Sequence, residues 1–354
     1  MKLLATAGTT NGMKIVRKLP KRVVLLVVVA LLAASVGAGI ALAHVSAKSI
    51  GSGVVVIDTN LAYQGNAAAG TGMVLTSSGE VLTNNHVISG ATTIKVVVPK
   101  TGRSYKARVL GYDRTADVAL LQLQGASNLK TVSTTSAKLS IGATVRALGN
   151  AGGNGSITTA TGTVTGLGRS ITASDDAGGS EQLTGLIETN AGVQPGDSGG
   201  PLVNSKGQVV GMDTAASSRF GFQGISATDA YAIPIAKALT IAHAISSGKA
   251  SSTVHIGATA FLGIEVESNP PGFGGASASG ALIASVVTGG PAASAGLAAG
   301  DVITAISGRS VSSPAAVSAL VLTKKPGAKI MVAYVDLLGA SHTASVTLAS
   351  GPPQ

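Results

Sequence analysis

The six residues Gly196-Asp197-Ser198-Gly199-Gly200-Pro201 carry the densest chemical signal in this chain of 354 residues. Glycines on both sides of a serine let the backbone turn sharply and bring N–H groups beside the hydroxyl. Such donors can stabilise an oxyanion while the hydroxyl attacks a carbonyl. The serine needs a base, and a histidine base needs a carboxylate to fix its tautomer. Upstream, Leu82-Thr83-Asn84-Asn85-His86-Val87 ends a predicted strand in a turn that exposes the histidine. Further on, Asp113-Arg114-Thr115-Ala116-Asp117-Val118-Ala119-Leu120 places an acid at the head of an apolar strand. Asp117 abuts that strand directly, whereas Asp113 is the competing acid and is expected to serve the turn.

Other chemistries find less support. The chain has no cysteine, which removes disulfide scaffolds, thiol nucleophiles and zinc ribbons together. Its five histidines show no metal-binding spacing, so neither a metal nor another cofactor is expected, and His243, His255 and His342 read as surface or packing residues. Gly196-x-Ser198-x-Gly200 also fits the nucleophile elbow of α/β-hydrolases, but that turn must run into a helix. Here Leu202-Val203 continue as a β-type run instead. The net charge of +10 includes six basic and no acidic residues within 1–22, leaving only +4 for the remainder. No dense Lys/Arg run with interleaved aromatics follows, which argues against nucleic acid as a partner.

The elements that must position these residues are mostly strands. From Val54 to about Ile245, short β-type runs such as Val54–Ile57, Ile94–Val98 and Val118–Leu121 alternate with Gly, Asn, Asp and Ser turns. That pattern predicts a mainly β domain over 54–245, a barrel or sandwich. Ile235–Ile245 is the exception, with apolar residues at helical spacing and Gly248 as its stop. A linker over 246–254 leads to a small α+β unit over 255–350. This unit is expected to have a strand at Phe261–Val266, a flexible loop from Ser268 to Gly280, a strand at Ala281–Val287 and a short helix from Pro291. Further strands are expected at Asp301–Ile306, Lys329–Val335 and Ser345–Leu348, with an apolar-faced helix at Ala315–Leu322. Residues 23–43 carry no charge, and a helix of that length rises about 30 Å, enough to cross a bilayer core. The basic segment 1–22 should then stay cytoplasmic and the rest lie outside, with 44–53 as a tether. A cleaved signal peptide is the rival reading, because Ala41-Leu42-Ala43 offers small residues at a cleavage spacing.

The ordered His, Asp and Ser motifs resemble those of trypsin-like serine proteases, and more fully the HtrA family with its membrane-tethered bacterial members. The resemblance covers roughly residues 54–348. Phe261-Leu262-Gly263-Ile264 looks like a PDZ carboxylate-binding loop, and Pro291–Leu297 with Gly300–Ile303 resembles that family's PDZ signature. The implied fold is a chymotrypsin-like double β-barrel followed by one PDZ domain, behind an N-terminal transmembrane helix. The resemblance makes Ser198 the nucleophile, His86 the base and then acid, and Asp117 its orienting carboxylate. It assigns the oxyanion donors to Gly196 and Ser198 with Asp197, which departs from the Asn that many members carry. Gly192 would lie near the pocket floor, with Asp213, Thr214, Ala215 and Ala216 along one wall. No acid stands at position 192, so selection for Arg or Lys is not implied, and a pocket lined by small residues suits small or medium aliphatic side chains. Implied partners are unfolded or exported proteins at the protease and C-terminal peptides at Phe261, Leu262, Gly263 and Ile264. A membrane contact through 23–43 is also implied, as is a homotrimer, although no decisive trimerisation feature stands out. The alternative is a non-proteolytic chaperone or PDZ adaptor retaining the protease fold.

Overall fold

The computed structural model describes residues 50–174, 180–216, 229–269 and 279–354. The segment 23–43 and most of the loop expected between Ser268 and Gly280 fall outside the described residues. Among the described residues, no helix is long and apolar enough to cross a membrane.

Six strands form the first barrel: β1 (Val54–Leu61), β2 (Asn66–Val74), β3 (Glu80–Thr83), β4 (Thr93–Val98), β5 (Arg103–Asp113) and β6 (Val118–Leu123). Their order is β5-β4-β1-β2-β3-β6, and β6 pairs back onto β5, so the sheet closes on itself. Alternation drives the closure. In β4, Ile94 and Val96 are buried while Thr93 and Lys95 are exposed, the period of two that turns one face inward. With Val55, Ile57, Val81 and Leu121 they fill the barrel interior.

The second barrel is closed by β7 (Thr144–Gly149), β8 (Thr158–Ser174), β9 (Ser180–Thr189), β10 (Pro201–Asn204), β11 (Val209–Ala216) and β12 (Ala230–Pro234). Val145, Val164, Ile187, Leu202 and Ala232 form its own core. A further core joins the two barrels. It packs Met73, Leu82, Val118 and Leu120 of the first against Leu148, Leu186, Met212 and Ile233 of the second. The predicted helix is present at Ile235–Ser246 and buries Ile235, Ala238, Ala242 and Ile245 against this joint. Steps of three and four keep those positions on one face.

Val254–Ile256, within and beyond the stretch read as a linker, is a strand, β13, which pairs antiparallel with β5. His255 stacks on Tyr112 at a centroid distance of 4.9 Å.

The remaining strands are β14 (Thr259–Phe261), β15 (Ile264–Ser268), β16 (Ala281–Val286), β17 (Val302–Ile306), β18 (Arg309–Ser310), β19 (Lys329–Val335), β20 (Ser341–Thr347) and β21 (Ala349–Gly351). One sheet runs β15-β16-β17-β19-β20 with β18 on β17, and β14 pairs with β21. The helices Pro291–Ser294 and Pro314–Leu322 accompany them, the second capped by Ser313 Oγ, which accepts the Ala316 N–H at 3.3 Å. The strand expected to run unbroken from Phe261 to Val266 is interrupted. Gly263 takes φ +79°, and a Cβ there would sit 3.1 Å from Pro291 Cδ. An apolar run hides such a break, because only the backbone conformation interrupts the pairing.

Candidate active site

Asn85–Ile88 is a single helical turn following β3. Val87 and Ile88 are buried in the first barrel's core and pin this turn, so His86 between them and Asn85 points outward. Its side chain is 36% exposed. Asp117 ends the turn before β6 with φ +55°, a left-handed conformation that Asp tolerates better than most residues. The Asp117 N–H donates to Arg114 O at 3.1 Å, and Asn84 Nδ2 donates to Asp117 O at 2.9 Å. The turn is thereby closed from both sides and aims a buried carboxylate at His86.

That carboxylate is well supplied with donors. His86 Nδ1 lies 2.9 Å from Oδ2 and 3.1 Å from Oδ1, and the His86 backbone N–H donates to Oδ1 at 3.0 Å. Thr214 Oγ1 donates a further, very short hydrogen bond to Oδ2. With Nδ1 committed as a donor, Nε2 carries the lone pair. Asp113 does what its turn position suggests. It accepts Thr115 Oγ1 and Thr253 Oγ1, each at 2.8 Å, and the Ala116 N–H at 3.1 Å.

Ser198 comes from the loop between β9 and β10. Its hydroxyl donates to Thr214 O at 3.4 Å. Gly196 has φ +99° and Gly199 φ +85°, and a Cβ at either would lie 2.1 Å from a carbonyl oxygen, of Asn150 and Thr71 respectively. No other residue fits those two positions. Thr71 clamps the loop. Its Oγ1 donates to Gly196 O at 2.6 Å and accepts the Asn150 N–H at 2.9 Å, while its own N–H donates to Ser198 O at 2.9 Å.

Of the three residues expected to offer oxyanion donors, Asp197 has its N–H engaged by Gln194 O at 2.9 Å. Its carboxylate accepts the Gln194 N–H at 2.8 Å, which closes a tight reciprocal turn. Among the described residues, neither the Gly196 nor the Ser198 N–H donates to a backbone acceptor. These two remain available as a donor pair.

Of the residues expected to line a pocket, Gly192 is half-buried and Ala215 lies in β11 opposite Tyr231. Thr214 is 2% exposed and its hydroxyl is directed at Asp117. Sequence reasoning therefore missed Thr214 as the residue that touches both Asp117 and Ser198. Asp213 is a second unexpected feature. It is fully buried, with no hydrogen-bond partner for either carboxylate oxygen among the described residues. Burial, and then the neighbouring Asp197, push its pKa well above the ordinary carboxylate range.

Residues 70–212 match the trypsin-like peptidase domain family, and residues 282–335 match the PDZ domain family. The serine protease PepD of Mycobacterium tuberculosis is 36% identical over 324 residues, covering 86% of this chain and 65% of PepD. A DegP-like periplasmic serine endoprotease of Pseudomonas fulva is 35% identical over 287 residues, covering 80% of this chain and 56% of that protein. The chain is thus similar to DegP-like, HtrA-type serine proteases. A do/HhoA-like periplasmic serine protease of Haemophilus influenzae is also similar, at 37% over 282 residues, covering 79% of this chain and 58% of that one. The chain spans less than two thirds of the length of these relatives. Its peptidase match contains His86, Asp117 and Ser198 but stops before Thr214, and its PDZ match begins after the Phe261–Ile264 loop.

Proposed function

We propose that the chain is a serine endopeptidase that hydrolyses peptide bonds of misfolded or exported proteins outside the cytoplasm. The observation that carries this reading is the Asp117 carboxylate, bonded to His86 Nδ1 and, through Thr214, linked to Ser198. In this reading Ser198 Oγ attacks the scissile carbonyl while His86 Nε2 takes its proton. The Gly196 and Ser198 N–H groups stabilise the oxyanion that forms. His86 then returns the proton to the leaving amine, and water repeats the cycle on the acyl-enzyme. Asp117 fixes the tautomer and stabilises the imidazolium.

Gly192, with no acid there, argues against selection for Arg or Lys, and the small residues expected around it support a preference for small or medium aliphatic side chains. The PDZ unit binds C-terminal peptides at Phe261–Ile264, where the Leu262 and Gly263 N–H groups take no backbone acceptor among the described residues. Periplasmic relatives support an extracytoplasmic site of action, and the uncharged run 23–43 supports a retained anchor. Peptides upstream of Ala43 still attached to membrane-fraction protein would bear that out, and a soluble protein starting at His44 would overturn it. The family resemblance favours a homotrimer, readable by light scattering.

Casein cleavage by the purified exported part, beside Ser198→Ala, tests the activity. A fluorophosphonate probe should label the wild type at Ser198. Labelling that persists in Ser198→Ala would sink the assignment.

A further inference from the structure

The segment after β21 leaves the PDZ sheet and crosses to the first barrel. β21 itself is tied to β14 in the register Thr259↔Gly351, Ala260↔Ser350 and Phe261↔Ala349. A Cβ at Gly351 would sit 2.3 Å from Phe261 Cβ, so the strand passes against that ring as only glycine allows. Pro352 and Pro353 follow and are buried. Pro353 O then accepts the Gly90 N–H at 2.8 Å, and Gln354 O accepts Asn85 Nδ2 at 3.1 Å. The Tyr112 hydroxyl also makes a hydrogen bond with the Gln354 backbone. Asn85 immediately precedes His86, and Gly90 lies just beyond the same helical turn.

The other side of Gln354 faces a groove. It lines the same cavity as Phe261, Leu262, Gly263 and Ile264, closed opposite by Val317 and Val321 of the second PDZ helix. A peptide end entering the loop to reach the Leu262 and Gly263 N–H groups would meet Gln354 there.

We infer that the barrel surface formed by Asn85, Gly90 and Tyr112 is a docking site for residues 352–354, which strap the groove and compete with incoming peptide. The inference rests on the peptide-binding reading of Phe261–Ile264 given above. Two consecutive prolines favour it energetically, because they leave the strap little conformational entropy to lose on docking. Peptide binding and strap docking are then mutually exclusive, and apparent peptide affinity is the intrinsic affinity reduced by the fraction of grooves left open. By linkage, peptide must release the strap from Asn85 and Gly90 as strongly as the strap opposes peptide.

The test uses the whole chain with Ser198→Ala, to prevent self-cleavage, titrated with a fluorescent peptide ending in a free Val carboxylate. Two variants weaken the strap from opposite sides: Asn85→Ala on the barrel, and a chain lacking residues 352–354. The deletion should tighten peptide binding about tenfold or more, and Asn85→Ala by about threefold to tenfold, as expected for one lost hydrogen bond. Amide exchange at Gly90 gives an independent readout. It should accelerate in the deletion variant, and equally in the undeleted chain saturated with peptide. Identical affinities in all three proteins, with Gly90 exchange unmoved by peptide, would overturn the strap while leaving the groove reading intact. Absence of peptide binding in every protein, the deletion included, would overturn both.

Discussion

Thr214 and Asp117 meet side chain to side chain across the junction of the two barrels, the threonine hydroxyl donating to the Asp117 carboxylate. Thr214 belongs to the second barrel and Asp117 to the first. The same threonine accepts the Ser198 hydroxyl through its backbone carbonyl. Removing the hydroxyl while keeping the shape should therefore loosen Asp117 and, with it, His86. Thr214→Val should lower kcat by about 10- to 100-fold, as for a hydrogen bond to a charged group. Thr214→Ser should restore most of the rate. Equal rates in the valine and serine variants would show that the threonine acts only through packing.

Asp213 provides a pH signature. Its carboxyl is held well above the ordinary range by burial and by Asp197, so the folded form keeps a proton that the unfolded chain releases. Stability must then fall as pH rises from about 4, the unfolded value, up to the raised folded value. Asn replaces the neutral acid without a proton to lose. Asp213→Asn should have a Tm above the wild type at pH 8, with the gap shrinking toward pH 4. Thermal scans across that range would expose a pH-independent gap, which would remove titration as the cause.

A Cβ at Gly199, whose φ is +85°, would sit only 2.1 Å from the Thr71 carbonyl oxygen. Gly199→Ala must push the Ser198 loop away from its clamp. Displacement of a nucleophile by about 1 Å costs on the order of 100-fold in rate. Fluorophosphonate labelling should slow to match, and labelling at the wild-type rate would mean the loop accommodates the methyl group.

Ile245 is 3% exposed and closes the core between the barrels. Ile245→Ala should cost about 2–5 kcal/mol, read from urea unfolding. A change below about 1 kcal/mol would show that the joint repacks around the missing atoms.

The serine loop was legible because Gly196, Gly199 and Gly200 bracket a hydroxyl, and backbone crowding leaves few alternatives. His86 and Asp117 were legible only through their order relative to Ser198, since each alone reads as an ordinary turn residue. The helix at Ile235–Ser246 announced itself by spacing, a local property. Contacts that depend on distant pairing left no such trace. Thr214 reaches Asp117 only because both barrels close and pack together, and nothing near Thr214 in sequence signals a carboxylate. Val254–Ile256 looks like the end of a linker until β5 lies beside it. The Asp197 N–H resembled an oxyanion donor until the turn to Gln194 fixed its direction. Phe261–Val266 reads as one strand because the break at Gly263 lies in φ, not in hydropathy.

The core shared by the barrels also sets when the proposed site can come together during folding. His86 and Asp117 hang from the first barrel, while Ser198 and Thr214 hang from the second. A nascent chain with only its first barrel folded would hold the proposed base without the proposed nucleophile, and one with only the second would hold the serine without the base. Under the proposed mechanism the complete site therefore forms in a single step, when Leu82 and Leu120 pack onto Leu148 and Met212. Assembly of that seam would then act as a safety catch: a half-folded chain holds the four residues on separate pieces and no complete site.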